Sequence, residues 1–181
     1  MESLRSRSSR KSPVILVLGG ARSGKSRFAE SLLADRAGHR IYLATAEAGD
    51  EEMRQRILHH QARRGEGWRT IESPIEIAAP IAAAGDDAVL VDCLTLWLSN
   101  LMAADRDMDE AANDLCRALD QARAPIVLVS NETGLGIVPE NALARQFRDR
   151  AGLLNQAVAA KADRVVFIAA GLPLTLKDNA A

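Results

Sequence analysis

Five short runs along the chain are apolar at consecutive positions rather than at alternate ones: residues 14–18, 41–44, 88–91, 126–129 and 165–169. A strand that is apolar on both faces must be covered on both, as the strands of a parallel sheet are. Between these runs lie longer stretches with apolar residues at helical spacing. Residues 25–36 carry Phe28, Ala29, Leu32 and Leu33 on one side, and residues 109–123 carry Leu115, Ala118 and Leu119. Residues 50–64 are polar except for a narrow stripe of Met53 and Ile57. Residues 139–162 open on Pro139, which suits a first helical turn, and Gly152 is expected to kink or break them. Strands alternating with helices predict an α/β domain built on a mostly parallel sheet with helices on both faces. No repeat or Gly/Ser linker interrupts it, so residues 13–181 read as a single domain. Residues 1–12, rich in Ser and Arg, lack the apolar core of a signal peptide and read as a flexible basic tail. An arm that touches nucleic acid or membrane is the other reading of that segment.

Composition narrows the classes. A chain of 181 residues, 48% hydrophobic and 26% charged, is long enough for one well-formed core. The net charge of −1 gives no reason to expect bulk binding to nucleic acid. No apolar run reaches the length of a membrane span. Cys93 and Cys116 form no CxxC pair and read as small buried hydrophobes in a reducing, cytoplasmic setting.

The sharpest local signal is Gly19-Gly20-Ala21-Arg22-Ser23-Gly24-Lys25-Ser26, which fits G-x-x-x-x-G-K-[ST] between an apolar strand and an amphipathic helix. The glycines let successive N–H groups turn toward phosphate oxygens, and the new helix adds its positive end. Lys25 is placed to reach the outer phosphates, and the Ser26 hydroxyl to ligate Mg²⁺. Asp92 ends the run 88–91, where a carboxylate serves as a second Mg²⁺ anchor or as the N-cap of a following helix. Farther along, Arg56, His60, Arg63 and Arg64 share a face if residues 50–64 are helical. Guanidinium neighbours disfavour imidazolium, and a neutral imidazole is a nucleophile toward phosphorus. The same pattern also fits a solvated basic helix, and His39 reads as a solvated loop residue.

Four segments taken together are more specific: GGARSGKS, the stretch 41–73, the stretch 89–100 (VLVDCLTLWLSN) and the stretch 129–156 (VSNETGLGIVPENALARQFRDRAGLLNQ). In that order they resemble the bifunctional adenosylcobinamide kinase / adenosylcobinamide-phosphate guanylyltransferase family of cobalamin biosynthesis, over about residues 13–177. The resemblance implies a RecA-like P-loop NTPase fold and a cytoplasmic homotrimer. It implies ATP or GTP as phosphoryl donor to adenosylcobinamide, then GMP transfer from GTP to adenosylcobinamide phosphate, with Mg²⁺ as cofactor. The family pattern R-I-x-x-H falls on Arg56, Ile57 and His60, which makes His60 the guanylylated residue, with the adjacent His59 a lesser candidate; Lys25 of the cradle is the other catalytic residue, stabilising charge as the γ-phosphoryl moves. By the same resemblance Ala44, Thr45, Ala46, Gln61, Ala62, Arg63, Arg64, Glu72 and Asp92 join the cradle as nucleotide contacts. The chain departs from the family in the length of its segment 1–12 and in Thr133, where an apolar residue is commoner. Two other readings use the same cradle: a small-molecule kinase without the transferase half, and a nucleotide-binding module without turnover.

Overall fold

A computed structural model of the chain describes residues 12–36, 38–46 and 65–179. The expected tail (except Ser12) and the expected helix over 50–64 lie outside the described residues. Strands β1 (Val14–Gly19), β2 (Arg40–Ala44), β3 (Trp68–Glu72), β4 (Ala88–Asp92), β5 (Ile126–Asn131), β6 (Arg164–Ala169) and β7 (Leu172–Asp178) form one sheet in the order β3-β2-β4-β5-β1-β6-β7. The first six are parallel and β7 is antiparallel to β6. Helices α1 (Lys25–Ser31), α2 (Ala78–Ala83), α3 (Leu94–Ala103), α4 (Met108–Gln121) and α5 (Ala142–Lys161) cover both faces.

The apolar runs account for this arrangement. In β4, Val89 and Val91 face a core shared with α2 to α5, while Ala88 and Leu90 face a second core shared with α1. In β5, Ile126 and Leu128 take the first face, and Val127 and Val129 the second. Both faces are dry, so alternation disappears from the sequence. Helix α4 starts where Asp107 accepts from the Asp109 and Glu110 N–H groups, and it buries Leu115, Ala118 and Leu119.

Three expectations are corrected. Residues 25–36 are not one helix. After Ser31 the chain tightens into i→i+3 turns, Leu33 N–H to Glu30 O and Ala34 N–H to Ser31 O, while the Ser31 hydroxyl donates to Phe28 O. Pro139 is not in a first turn, because the N-cap is Asn141, whose side chain accepts from Ala144 N–H. Helix α5 also runs unbroken through Gly152, since burial of Ala151, Leu154, Asn155 and Val158 outweighs a glycine cost of about 1 kcal/mol. Its last turn is held by Lys177 of β7, whose ammonium donates to Ala159 O and Ala160 O.

Candidate functional site

Parallel pairing puts the C-terminal ends of β1 to β6 on one edge, and ligands of open α/β sheets bind beyond such an edge. Here that edge holds Gly19, Ala44, Glu72 and Asp92 together. Ala44 is in register with both Glu72 and Asp92, and Gly19 with Asn131. Residues far apart in sequence thus meet because their strands run the same way.

The cradle leaves β1 at Gly19 and enters α1 at Lys25. A side chain at Gly19 would come within 2.6 Å of both Ile168 O and Ser23 Oγ, so only glycine fits. Gly24, the N-cap of α1, has a left-handed φ of 96°, which glycine adopts without strain. Gly20 has open space around it, and it is Arg22 that takes a further left-handed turn. Two hydrogen bonds fix the loop: Ser23 N–H to Gly20 O at 3.3 Å, and Gly171 N–H to Ser23 O at 2.9 Å. Lys25 is buried, and its ammonium donates to Gly20 O at 3.1 Å, inside the curl of the backbone. Ser26 follows in the first turn of α1, half-buried.

Asp92 ends β4 on the α1 face, by alternation with Ala88 and Leu90. The Tyr42 hydroxyl donates to its Oδ2 at 2.9 Å. The N-cap of α3 is Cys93, one residue beyond Asp92. Thr45 is fully buried, accepting from Cys93 N–H at 2.7 Å and donating to Cys93 O at 2.8 Å. Its hydroxyl therefore fastens the turn 44–46 to the end of β4. Asn100 of α3 adds a second tie, donating to Thr45 O at 2.8 Å and to Pro74 O at 3.0 Å. Glu72 stands exposed at the end of edge strand β3. His60, His59, Arg56, Ile57, Gln61, Ala62, Arg63 and Arg64 lie outside the described residues.

Burial pushes the Cys93 thiol up to about 11, with the Asp92 carboxylate adding to the effect. Cys93 is thus a protonated, structural thiol rather than a nucleophile. Cys116 is also a free thiol but only partly buried, less than the sequence led us to expect.

Tyr42, Asn100, Thr95 and Asn155 are site-edge residues that sequence reading missed. Tyr42 is the only tyrosine in the chain, which was a usable signal, but its partner depends on the β2–β4 register. Thr45→Val is expected to destabilise the protein by roughly 1–3 kcal/mol, since it orphans the buried N–H of Cys93 and leaves the Cys93 C=O with Trp97 N–H as its remaining donor. Urea unfolding would measure it, and an unchanged midpoint would remove Thr45 from this role.

The Cobinamide kinase / cobinamide phosphate guanyltransferase family matches residues 15–176. The bifunctional adenosylcobalamin biosynthesis protein CobP of Pseudomonas aeruginosa is 49% identical over 166 residues, covering 90% of this chain and 96% of its own length. The corresponding CobU of Salmonella typhimurium is 43% identical over 181 residues, covering 91% and 99%. Among solved structures, an ATPase from the type III secretion system of pathogenic bacteria superposes with a TM-score of 0.56 at 13% identity. That match covers 90% of this chain and 56% of the ATPase, and it bears on the fold alone, a RecA-like P-loop NTPase sheet. With relatives this similar over nearly their whole length, the chain belongs to the cobinamide kinase / cobinamide phosphate guanyltransferase family.

Proposed function

We propose that this protein is a two-step transferase. It phosphorylates adenosylcobinamide with ATP or GTP, then moves GMP from GTP onto the resulting phosphate to give adenosylcobinamide-GDP and pyrophosphate. The observation that carries the reading is the meeting of a G-x-x-x-x-G-K-S cradle and Asp92 on one sheet edge, in a chain of this family.

Gly19 to Ser26 bind the nucleotide phosphates through backbone N–H groups and the start of α1. Lys25 balances charge on the outer phosphates during phosphoryl transfer. Ala44, Thr45 and Ala46 form a turn against the base or ribose, and Glu72 offers carboxylate oxygens to guanine N–H donors. Mg²⁺ suits the donors present: Ser26 and Asp92 supply hard oxygens near the cradle, and this ion needs few protein ligands beside phosphate and water. Bound there, it would draw charge from the phosphate oxygens.

For the second step His60 attacks the α-phosphorus of GTP. A P–N bond forms, the α–β phosphoanhydride breaks and pyrophosphate leaves. The phosphate of adenosylcobinamide phosphate then displaces His60, breaking the P–N bond and restoring the imidazole. Gln61, Ala62, Arg63 and Arg64 belong to the phosphate-contacting stretch beside it. Mass spectrometry after incubation with GTP tests this. A GMP adduct mapped to His60 is expected, and its absence, with kinase activity on cobinamide present, reduces the protein to a kinase.

The reading includes a homotrimer in the cytoplasm. Two free cysteines suit a reducing compartment. Edge strand β7 exposes Leu172, Leu174 and Leu176, and the chain after β5 exposes Leu135 and Ile137, apolar area that a second copy would cover. Sedimentation equilibrium is expected to give three chains per particle, and a monomer at micromolar concentration would remove this part. Among the described residues, no helix is long and apolar enough to cross a membrane.

A further inference from the structure

The end of β5 carries a polar cluster that none of the roles above uses. Asn131 closes the strand beside Gly19 of β1, and β5 also pairs with β4, where Asp92 faces Val129. Side chains from two helices hold its backbone. Thr95 Oγ1 of α3 accepts from Asn131 N–H at 2.7 Å and lies 3.4 Å from Ser130 Oγ. Asn155 of α5, 7% exposed, donates to Asn131 O at 3.2 Å. Both backbone groups of Asn131 are therefore fixed. Strand alternation puts its carboxamide with Val127 and Val129, on the face that carries α1 and Asp92. There Oδ1 is buried and makes no hydrogen bond to any of the described residues.

A buried carboxamide oxygen without a partner is costly, and such exceptions mark functional positions. Asn131 as a whole is only partly buried, and its NH₂, unlike Oδ1, is not a buried group without a partner, so the NH₂ stays open to a ligand and can donate to an anion. Its place in the cradle follows from two neighbours. The register partner of Asn131 is Gly19, and the Lys25 ammonium sits on the carbonyl of the next residue, Gly20. Asn131 thus lies at the end of the cradle where Lys25 reaches the outer phosphates.

We propose that Asn131 donates a hydrogen bond to the outermost phosphate of the bound nucleoside triphosphate. Thr95 and Asn155 are positioning residues that act through its backbone. The inference rests on the cradle reading of Gly19 to Ser26. It makes Asn131 the residue that distinguishes a triphosphate from a diphosphate.

Calorimetric titration with α,β-methylene GTP and α,β-methylene GDP tests it, since neither is cleaved at the α–β bond. In Asn131→Ala, affinity for the triphosphate is expected to fall roughly ten- to hundredfold, the worth of a hydrogen bond to a charged group, with diphosphate affinity unchanged. Thr95→Val is expected to shift the same ratio in the same direction by less, and it serves alone if Asn131→Ala does not fold. Equal losses for both ligands, or no loss, in a variant of unchanged melting temperature overturn the inference. A wild-type protein that binds neither ligand overturns the cradle reading, and this inference with it.

Discussion

Lys25→Ala is expected to slow phosphoryl transfer and guanylyl transfer together, each by about 10²–10³-fold, the loss that follows removal of one group aimed at developing charge. The buried ammonium of Lys25 sits inside the cradle, 3.1 Å from Gly20 O. Its long stem starts at the first residue of α1, so it projects into the loop that holds the phosphates. If one cradle serves both reactions, each transition state loses the same positive charge. The first reaction gathers charge around the outermost phosphorus and the second on departing pyrophosphate, and Lys25 is placed to reach both. Initial rates of the two half-reactions on the purified variant are the measurement. Full guanylyl transfer beside a crippled kinase would require two separate nucleotide sites. Alanine leaves the cradle backbone alone, because its turns depend on Gly19, Arg22 and Gly24.

His60→Ala is expected to separate what Lys25→Ala depresses together. Guanylyl transfer should fall by on the order of 10⁴-fold or more, as enzymes that lose their nucleophile do, while phosphorylation of cobinamide persists. The protein should also lose its acid-labile label from α-labelled GTP. Phosphoramidates hydrolyse in acid and survive base, so the stability of the label identifies the bond as well as the residue. Retention of label in this variant would move the nucleophile elsewhere, with His59 the first position to examine. Loss of both activities in a folded protein would tie His60 to nucleotide binding rather than to group transfer.

The elements legible in the sequence are those whose pattern reports burial directly. Strands β1, β4 and β5 are apolar on both faces and were placed to within a residue or two. Strand β3, WRTIE, lies at an edge with exposed Arg69, Thr70 and Glu72, so it has no such pattern. Strand β7 hides differently, because its leucines are exposed and Pro173 argues against a strand, a residue tolerated here since β7 is an edge. Six-residue α2 is too short for a helical period to show. In the site, the cradle was readable because its residues are consecutive. Tyr42 against Asp92, Asn100 against Thr45 and Pro74, and Asn155 against Asn131 were not readable, since each pairing exists only once strand order and register are set.

The single carboxamide of Asn100 grips the turn after β2 and the turn after β3 at once. These two turns flank the space assigned to the base, so its width is gauged by a residue on α3 rather than by either turn. Asn100 works as a spacer, and the two walls move as one piece. A change of preferred base could therefore arise from the helix behind the pocket while every residue facing the nucleotide stays the same.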